Sequence, residues 1–481
     1  MIYDLIVIGD DLSSYVAAAT AAARGLKTAL LAEIGMGDNA TIGGVSFNID
    51  CTPLPGFVFT EAGNSFLKQL NIAYKISLLD PGYQVILPGH RIDFFHDKNL
   101  LVQEIIREFP EVAAEVKSFY DSLETLLSVS QSWLQQHPRI KTFGLNEYFD
   151  YLKLAPDMIK NRLARLKLNK IMSRQPAFRK VVEAQQCLLS FHRNHRNSIF
   201  SFYPLFAPLL GVGYFPKGIQ TIFEAAVQKV MASGGLYLNG AEALSIKKGK
   251  PFEITYNDSE KTPLTIEAYK MIVSTKWQNM HLLIDKKKKI NFGDWLRPAK
   301  ISHCPFTLHL GVKPHALPEK MARHVAVVSD VEKDIYDDNL MVLCSCADND
   351  KDLTASTIPF SVTVFLPNVL DAWTEENLTQ KAEIVLNQLE FFLPFLRENI
   401  EFYDLSASIA ISKKHLQLIN SKYQVRNAFL TGLAAKGLET RFKNIYLTGA
   451  SLLLDIGYDG EILSGINAAY QVLDKEKRHD A

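Results

Sequence analysis

YDLIVIGDDLSSYVAAATAAARGLKTALLAE, residues 3–33, reads as strand, tight turn, helix, strand. Leu5-Ile6-Val7-Ile8 is the apolar run that a strand buried on both faces requires, and Gly9 ends it where a helix should begin. Ser13 to Arg24 is rich in alanine, which lets a helix lie close against a sheet. Gly25 closes that helix, and Lys27 to Ala32 resumes as strand. Glu33 follows Gly9 by a little over 20 residues, where an acidic side chain can accept hydrogen bonds from a ribose. The stretch has the frame of a dinucleotide site, with Gly9, Asp11, Ser13, Ser14 and Glu33 as its candidate contacts.

The turn departs from that frame at two places. In a G-x-G-x-x-G turn the second glycine lets the backbone approach a pyrophosphate, and the third lets helix and strand pack closely. Asp11 and Ser14 stand at those positions. Serine is small enough to substitute, but a carboxylate at the second position faces the phosphate pair. At ~4 Å and an effective dielectric near 20, such a contact costs about 4 kcal/mol, roughly a thousandfold in affinity. An ordinary βαβ unit that binds nothing is the alternative reading of this stretch.

At 481 residues the chain can bury a large core and is expected to divide into domains. Lys plus Arg equals Asp plus Glu at 52 each, so overall charge gives no pointer to nucleic acid or to an acidic partner. The five cysteines, Cys51, Cys187, Cys304, Cys344 and Cys346, form no CxxC pair. That usage suits reduced thiols in a cytoplasmic protein, with Cys344 and Cys346 in a strand-like run rather than at a metal. The text enters its first strand at once, without an apolar leader, and no run is long and apolar enough to span a bilayer.

Further on, Gly43-Gly44 suit a second loop close to a cofactor's phosphate and ribitol. Pro88-Gly89 mark a hairpin, Asp97 caps a following helix, and Phe109-Pro110-Glu111 open another through about Gln135 with Val112, Val116, Phe119, Leu123 and Leu127 at helical spacing. Residues 158–180 carry Lys160, Arg162, Arg165, Lys167, Lys170, Arg174, Arg179 and Lys180 with no acid, beside Met158, Ile159, Leu163, Leu166 and Ile171. This segment suits either a solvated face or peripheral contact with an anionic membrane. His192 and His195 lack the acidic or cysteine company that metal ligands need, and no metal site is expected. Phe202, Tyr203, Phe206 and Tyr214, in SFYPLFAPLLGVGYFP, suit either the wall of an apolar pocket or core.

YFPKGIQTIFEAAVQKVMASGGLYLNGAEALSI from Tyr214, YKMIVSTKW from Tyr269 and KNIYLTGASLLLDIGYDGEILSGINAAYQVL from Lys443 succeed one another as turn, helix and strand, returning strand, and strand leading to a final helix. Together with the N-terminal stretch they resemble the phytoene desaturase and carotenoid isomerase branch of the flavin-dependent amine-oxidase-like superfamily. The resemblance implies FAD, with Ala243 touching the adenine through its backbone. It also implies that Gly449, Ala450, Gly457 and Gly460 bring a helix N-terminus to the flavin phosphates. The family's arginine after the Gly-Gly pair is Val45 here, and Asp459 and Glu461 take small or proline positions before the last helix. Such acids can also act as caps that fill the anion site.

The expected architecture is α/β: an FAD/NAD(P)-binding Rossmann-like domain from residues 1–75, 210–280 and 420–481, and a mixed α+β substrate domain from 76–209 and 281–419. Lys286 to Lys289 are expected in an exposed loop near one crossing point. Two functions follow from the resemblance. One is an FAD-dependent oxidoreductase or isomerase acting on an apolar, isoprenoid-derived substrate, in which no side chain stands out as catalytic acid, base or nucleophile. The other is a flavin-free member of the same fold that binds a lipid or a protein, as Rab GDP-dissociation inhibitors do within this superfamily. Glu33, Gly449 and Gly457 speak for the first, and Asp11, Val45 and Asp459 for the second.

Overall fold

The computed structural model describes residues 2–35, 40–50, 52–123, 155–193, 202–277, 299–345, 357–425, 443–452 and 456–477. The N-terminal stretch forms β1 (Ile2–Ile8), α1 (Leu12–Ala23) and β2 (Thr28–Ala32). Leu5 to Ile8 and every residue of β2 are buried, as an apolar strand covered on both faces must be. β3 (Pro263–Ser274) lies parallel to β1, and β4 (Ile445–Thr448) lies parallel to β3. Leu236–Asn239 adds a parallel strand beyond β2. An antiparallel pair, Glu242–Lys247 and Phe252–Asn257, extends the sheet beside β3.

α1 is buried from Leu12 to Ala22 because it has neighbours on all sides, including the closing helix α2 (Gly457–Lys477). A Cβ on Gly465 of α2 would stand 2.4 Å from the Ser13 carbonyl oxygen of α1. Alanines on one helix and glycine on the other permit that approach, which brings the starts of both helices to the carboxyl ends of the parallel strands.

A second, mostly antiparallel sheet runs Ile400–Tyr403, Ala299–Val312, Ile358–Pro367, Leu340–Ser345, His324–Val328, Tyr83–Leu87 and His90–Phe94, with Lys422–Val425 also paired to Ala299–Val312. A core containing Phe306, Leu308, Phe360 and Val362 joins it to Leu378, Val385 and Leu389 of the helix Glu375–Phe392.

Pro88-Gly89 turn the hairpin between Tyr83–Leu87 and His90–Phe94, and Asp97 caps the helix Lys98–Glu108 through the amides of Asn99 and Leu100. After Pro110 the chain makes a single 3-10 turn before its helix, in which Val116, Phe119 and Leu123 are buried. The rest of that segment to Gln135, including Leu127, lies outside the described residues. The basic stretch is two helices, Ala155–Arg174 and Pro176–Leu189, because Pro176 restricts Gln175 to extended backbone. Cys187, Cys304 and Cys344 are buried and in no disulfide; Cys51, Cys346, His195 and Lys286 to Lys289 lie outside the described residues.

Candidate functional site

The turn after β1, the end of β2, the residues following β3 and β4 and the start of α2 meet at one edge of the parallel sheet, where ligands of open α/β sheets bind. Gly9 sits in this turn at φ +152°, and a Cβ there would stand 2.4 Å from Ser14 Oγ and 2.5 Å from Ser274 Cβ. Only glycine fits. The next residues differ from a phosphate cradle.

Asp11 is the N-cap of α1. Its Oδ1 accepts the Ser14 amide at 3.2 Å and the Ser14 hydroxyl at 2.6 Å, and its Oδ2 accepts the Ser274 hydroxyl at 2.8 Å. The carboxylate therefore takes donors and a dipole end that would otherwise serve an anionic ligand. Asp10 points the other way and accepts the amides of Ile34 at 2.9 Å and Gly35 at 2.8 Å. Burial pushes its carboxyl up to about 6, with Glu33 and Asp11 adding to the rise and the two amides opposing it. Ser13, in the first turn of α1, is buried and its hydroxyl has no hydrogen-bond partner among the described residues.

Glu33 and Ala243, expected at opposite parts of an adenosine, meet each other: Glu33 Oε1 accepts the Ala243 amide at 3.1 Å. Beside them lies a cavity of about 420 Å³ whose lining includes Asp10, Glu33, Glu242, Asp258, Lys276 and Trp277.

Gly43 and Gly44, expected in a second cofactor loop, form a hairpin turn. Both have positive φ, +58° and +81°, and are the two residues between the paired Ile42 and Val45. A Cβ on Gly43 would meet the Phe402 ring at 3.0 Å, so the pair packs against the second sheet. A type I′ hairpin turn demands Gly-Gly for its own reasons, which the sequence does not distinguish from a phosphate loop.

At the start of α2 the two acids are not caps of their own helix. Asp459 Oδ2 accepts the Phe57 amide at 2.7 Å and the Tyr203 hydroxyl, while its Oδ1 has no hydrogen-bond partner among the described residues. Burial raises the Asp459 carboxyl to about 7 against the opposing pull of Tyr203 and Phe57. Glu461 forms a buried ion pair with Lys276, Oε1 to Nζ 2.7 Å, and Lys276 also donates to the Leu418 carbonyl at 2.7 Å. Burial alone would lower Lys276, but Glu461, Tyr423 and Asp11 hold it above its ordinary value. Gly449 offers its amide to Ser464 Oγ at 3.0 Å. Ala450 is fully buried behind it, and Gly460 is buried in the first turn of α2. Gly457 has φ +54°, and a Cβ there would strike the Leu189 carbonyl at 2.4 Å.

Lys276, Ser274 and Phe57 complete this arrangement and were not singled out from the sequence, and Tyr203 was expected only at a pocket wall or in the core. The available signal was Lys276, a lone cation two residues past a buried strand and close to two acid-bearing turns.

Phe202, Tyr203 and Phe206, expected either as a pocket wall or as core, are core residues among the described ones. They pack in the main core, where helix Tyr203–Leu210 is buried nearly throughout. Tyr214 lines a recess of only about 10 Å³ with Asn48, Asp50, His324 and Cys344, room for one water at most. Asp50 belongs to a buried polar chain: it accepts the Tyr458 hydroxyl and the Thr52 amide, Asn420 donates to Thr52 Oγ1 at 2.8 Å, and Lys422 donates to Asn420 Oδ1 at 2.6 Å. His192 is fully buried. Among the described residues no group of three or more His, Cys, Asp or Glu is placed to hold a metal, and no helix is long and apolar enough to cross a membrane.

No family model matches this sequence, and no curated protein matches it either. Solved structures do. An oxidoreductase from Methanosarcina mazei aligns over 98% of this chain and 100% of its own at 14% identity, with a TM-score of 0.56. Putrescine oxidase bound to putrescine aligns over 98% of this chain and 99% of its own at 12% identity, with a TM-score of 0.61. At such identities the likeness concerns the fold, which is the α/β Rossmann-like fold of FAD-binding oxidoreductases with its second, mixed sheet region. The Gly9–Ser14 turn does not fit that cofactor's pyrophosphate, since it presents the Asp11 carboxylate, which already accepts the Ser14 amide and hydroxyl.

Proposed function

We propose that this chain is a flavin-free member of the flavoprotein fold that serves as a lipid- or protein-binding module. The observation that carries the reading is the Asp11 carboxylate seated at the N-terminus of α1, bonded to Ser14 and Ser274. A pyrophosphate placed there would meet a carboxylate in place of amide donors. The Glu33 contact with Ala243 and the Lys276–Glu461 pair support it, because they satisfy within the chain groups that a dinucleotide would otherwise engage. Purified protein incubated with FAD and desalted is expected to be colourless. A stoichiometric bound-flavin spectrum would overturn the reading.

A second reading, an FAD-dependent oxidoreductase acting on an apolar substrate, is favoured by two observations. The cavity of about 420 Å³ beside Glu33 is open at the adenosine end, and the buried Ser13 hydroxyl at the start of α1 has no hydrogen-bond partner among the described residues. FAD would supply the hydride chemistry when bound, with Glu33 at its ribose. Under this reading the same desalting experiment yields a yellow protein.

A further inference from the structure

We propose that the helix Ala155–Arg174 is a docking face for an anionic lipid bilayer, whether the dinucleotide cleft is open or closed. This helix carries six lysines and arginines, Lys160, Arg162, Arg165, Lys167, Lys170 and Arg174, against one acid, Asp157. The structure sorts the helix by face. Ala164, Leu168 and Ile171 are buried and hold it against the rest of the protein. At about 100° per residue, Arg162, Leu163, Leu166 and Lys170 lie on the side away from these, with Lys167 and Arg174 at its edge nearer Ile171, all exposed.

Leu163 and Leu166 are 56% and 59% exposed, and Lys170 projects between them on the helical wheel. Apolar residues thus lie on both sides of this helix, and only the inner ones are accounted for by packing. Glu115 meets Arg174 at 2.5 Å and Lys170 at 3.7 Å, while Lys167 donates to the neutral Ser122 hydroxyl at 2.7 Å. One carboxylate against four exposed cations leaves the face positive. Cations alone would suit a solvated face or a nucleic acid. Two exposed leucines framed by cations suit a bilayer, whose headgroups attract the charges and whose acyl boundary takes the apolar side chains.

The test is co-sedimentation of the full chain with vesicles of phosphatidylcholine alone and of phosphatidylcholine with phosphatidylserine. Binding is expected only to the anionic vesicles, weakening about tenfold or more between about 50 and 300 mM salt as screening shortens. Leu163→Ser with Leu166→Ser should weaken it about tenfold by removing inserted apolar surface. Arg162→Glu with Lys170→Glu is an independent variant of the same face and should abolish it. Equal binding to both vesicle types, no binding at low salt, or binding unchanged in either variant would overturn the proposal. So would binding to a DNA duplex without binding to vesicles. Because the vesicles carry no flavin, a failure here leaves the FAD experiment unaffected.

Discussion

Asp11 accepts both the amide of Ser14, at 3.2 Å, and its hydroxyl, at 2.6 Å, so the residue standing where the fold expects a phosphate-facing glycine is the cap of the helix that follows. The two departures from the glycine pattern are one interaction. Each makes the other tolerable.

Reversing both together tests whether they close the turn. Asp11→Gly with Ser14→Gly should strengthen FAD binding by up to roughly a thousandfold, from the like-charge cost of about 4 kcal/mol. The loss of a cap and a helix-interior glycine should lower stability by about 1–3 kcal/mol, so circular dichroism must show a folded variant before titration. Unchanged, weak binding in a folded variant would locate the obstacle at Asp459, Glu461 and Lys276 instead.

Stability should depend on pH through Asp459. Its folded carboxyl lies near 7, above its usual 3.8, so the native state keeps a proton that the unfolded chain releases. The contribution is therefore favourable below about pH 4, is lost as pH rises, and levels off above about pH 7. Asp10 and Asp50, both raised to about 6 by burial, act in the same direction. Asp459→Asn removes an ionisation cost of about 4 kcal/mol, partly offset by the new amide donors. The variant should melt about 2–4 °C above wild type at pH 8 and no higher at pH 4. An equal shift at both pH values would argue against an ionisable origin.

The Lys276–Glu461 pair should be costly to halve and cheap to remove. Lys276→Met leaves a carboxylate buried without its partner and should cost about 3–5 kcal/mol in denaturant unfolding. Adding Glu461→Leu should recover most of that loss, because an apolar pair of similar volume avoids desolvating two charges. No recovery in the double variant would mean that Lys276 acts chiefly through the Leu418 carbonyl.

Two glycines with positive φ should respond differently. Gly9→Ala places a methyl 2.4 Å from Ser14 Oγ and 2.5 Å from Ser274 Cβ at a φ of +152°, and should cost about 2–4 kcal/mol. Gly44→Ala meets no atom within 4 Å at φ +81°, so only backbone strain, about 1 kcal/mol, is expected. Similar losses at both sites, measured by thermal unfolding, would contradict the crowding at Gly9.

The parallel layer was legible in the sequence because its signals are local. An apolar run from Leu5 to Ile8, an alanine-rich helix and a glycine stop each follow from the burial that a βαβ unit imposes on its own residues. The cap at Asp97 is a backbone effect of the same local kind and was read, whereas the break at Pro176, equally local, divides a segment read as one. That Asp11 and Ser14 were unusual could also be read. That they satisfy each other could not, since a side chain's partner depends on its rotamer and on Ser274, brought alongside by β3. The same limit hid Lys276 opposite Glu461, separated by 185 residues, and Asp459 on the Phe57 amide, 402 away. Gly43-Gly44 illustrate the converse: a glycine pair specifies positive φ but not what approaches it, and only the folded chain set Phe402 against that turn. Residue type and spacing therefore determined the scaffold. Which charges fill the cleft was decided by long-range packing, because burial makes each carboxylate take whichever donor the fold delivers.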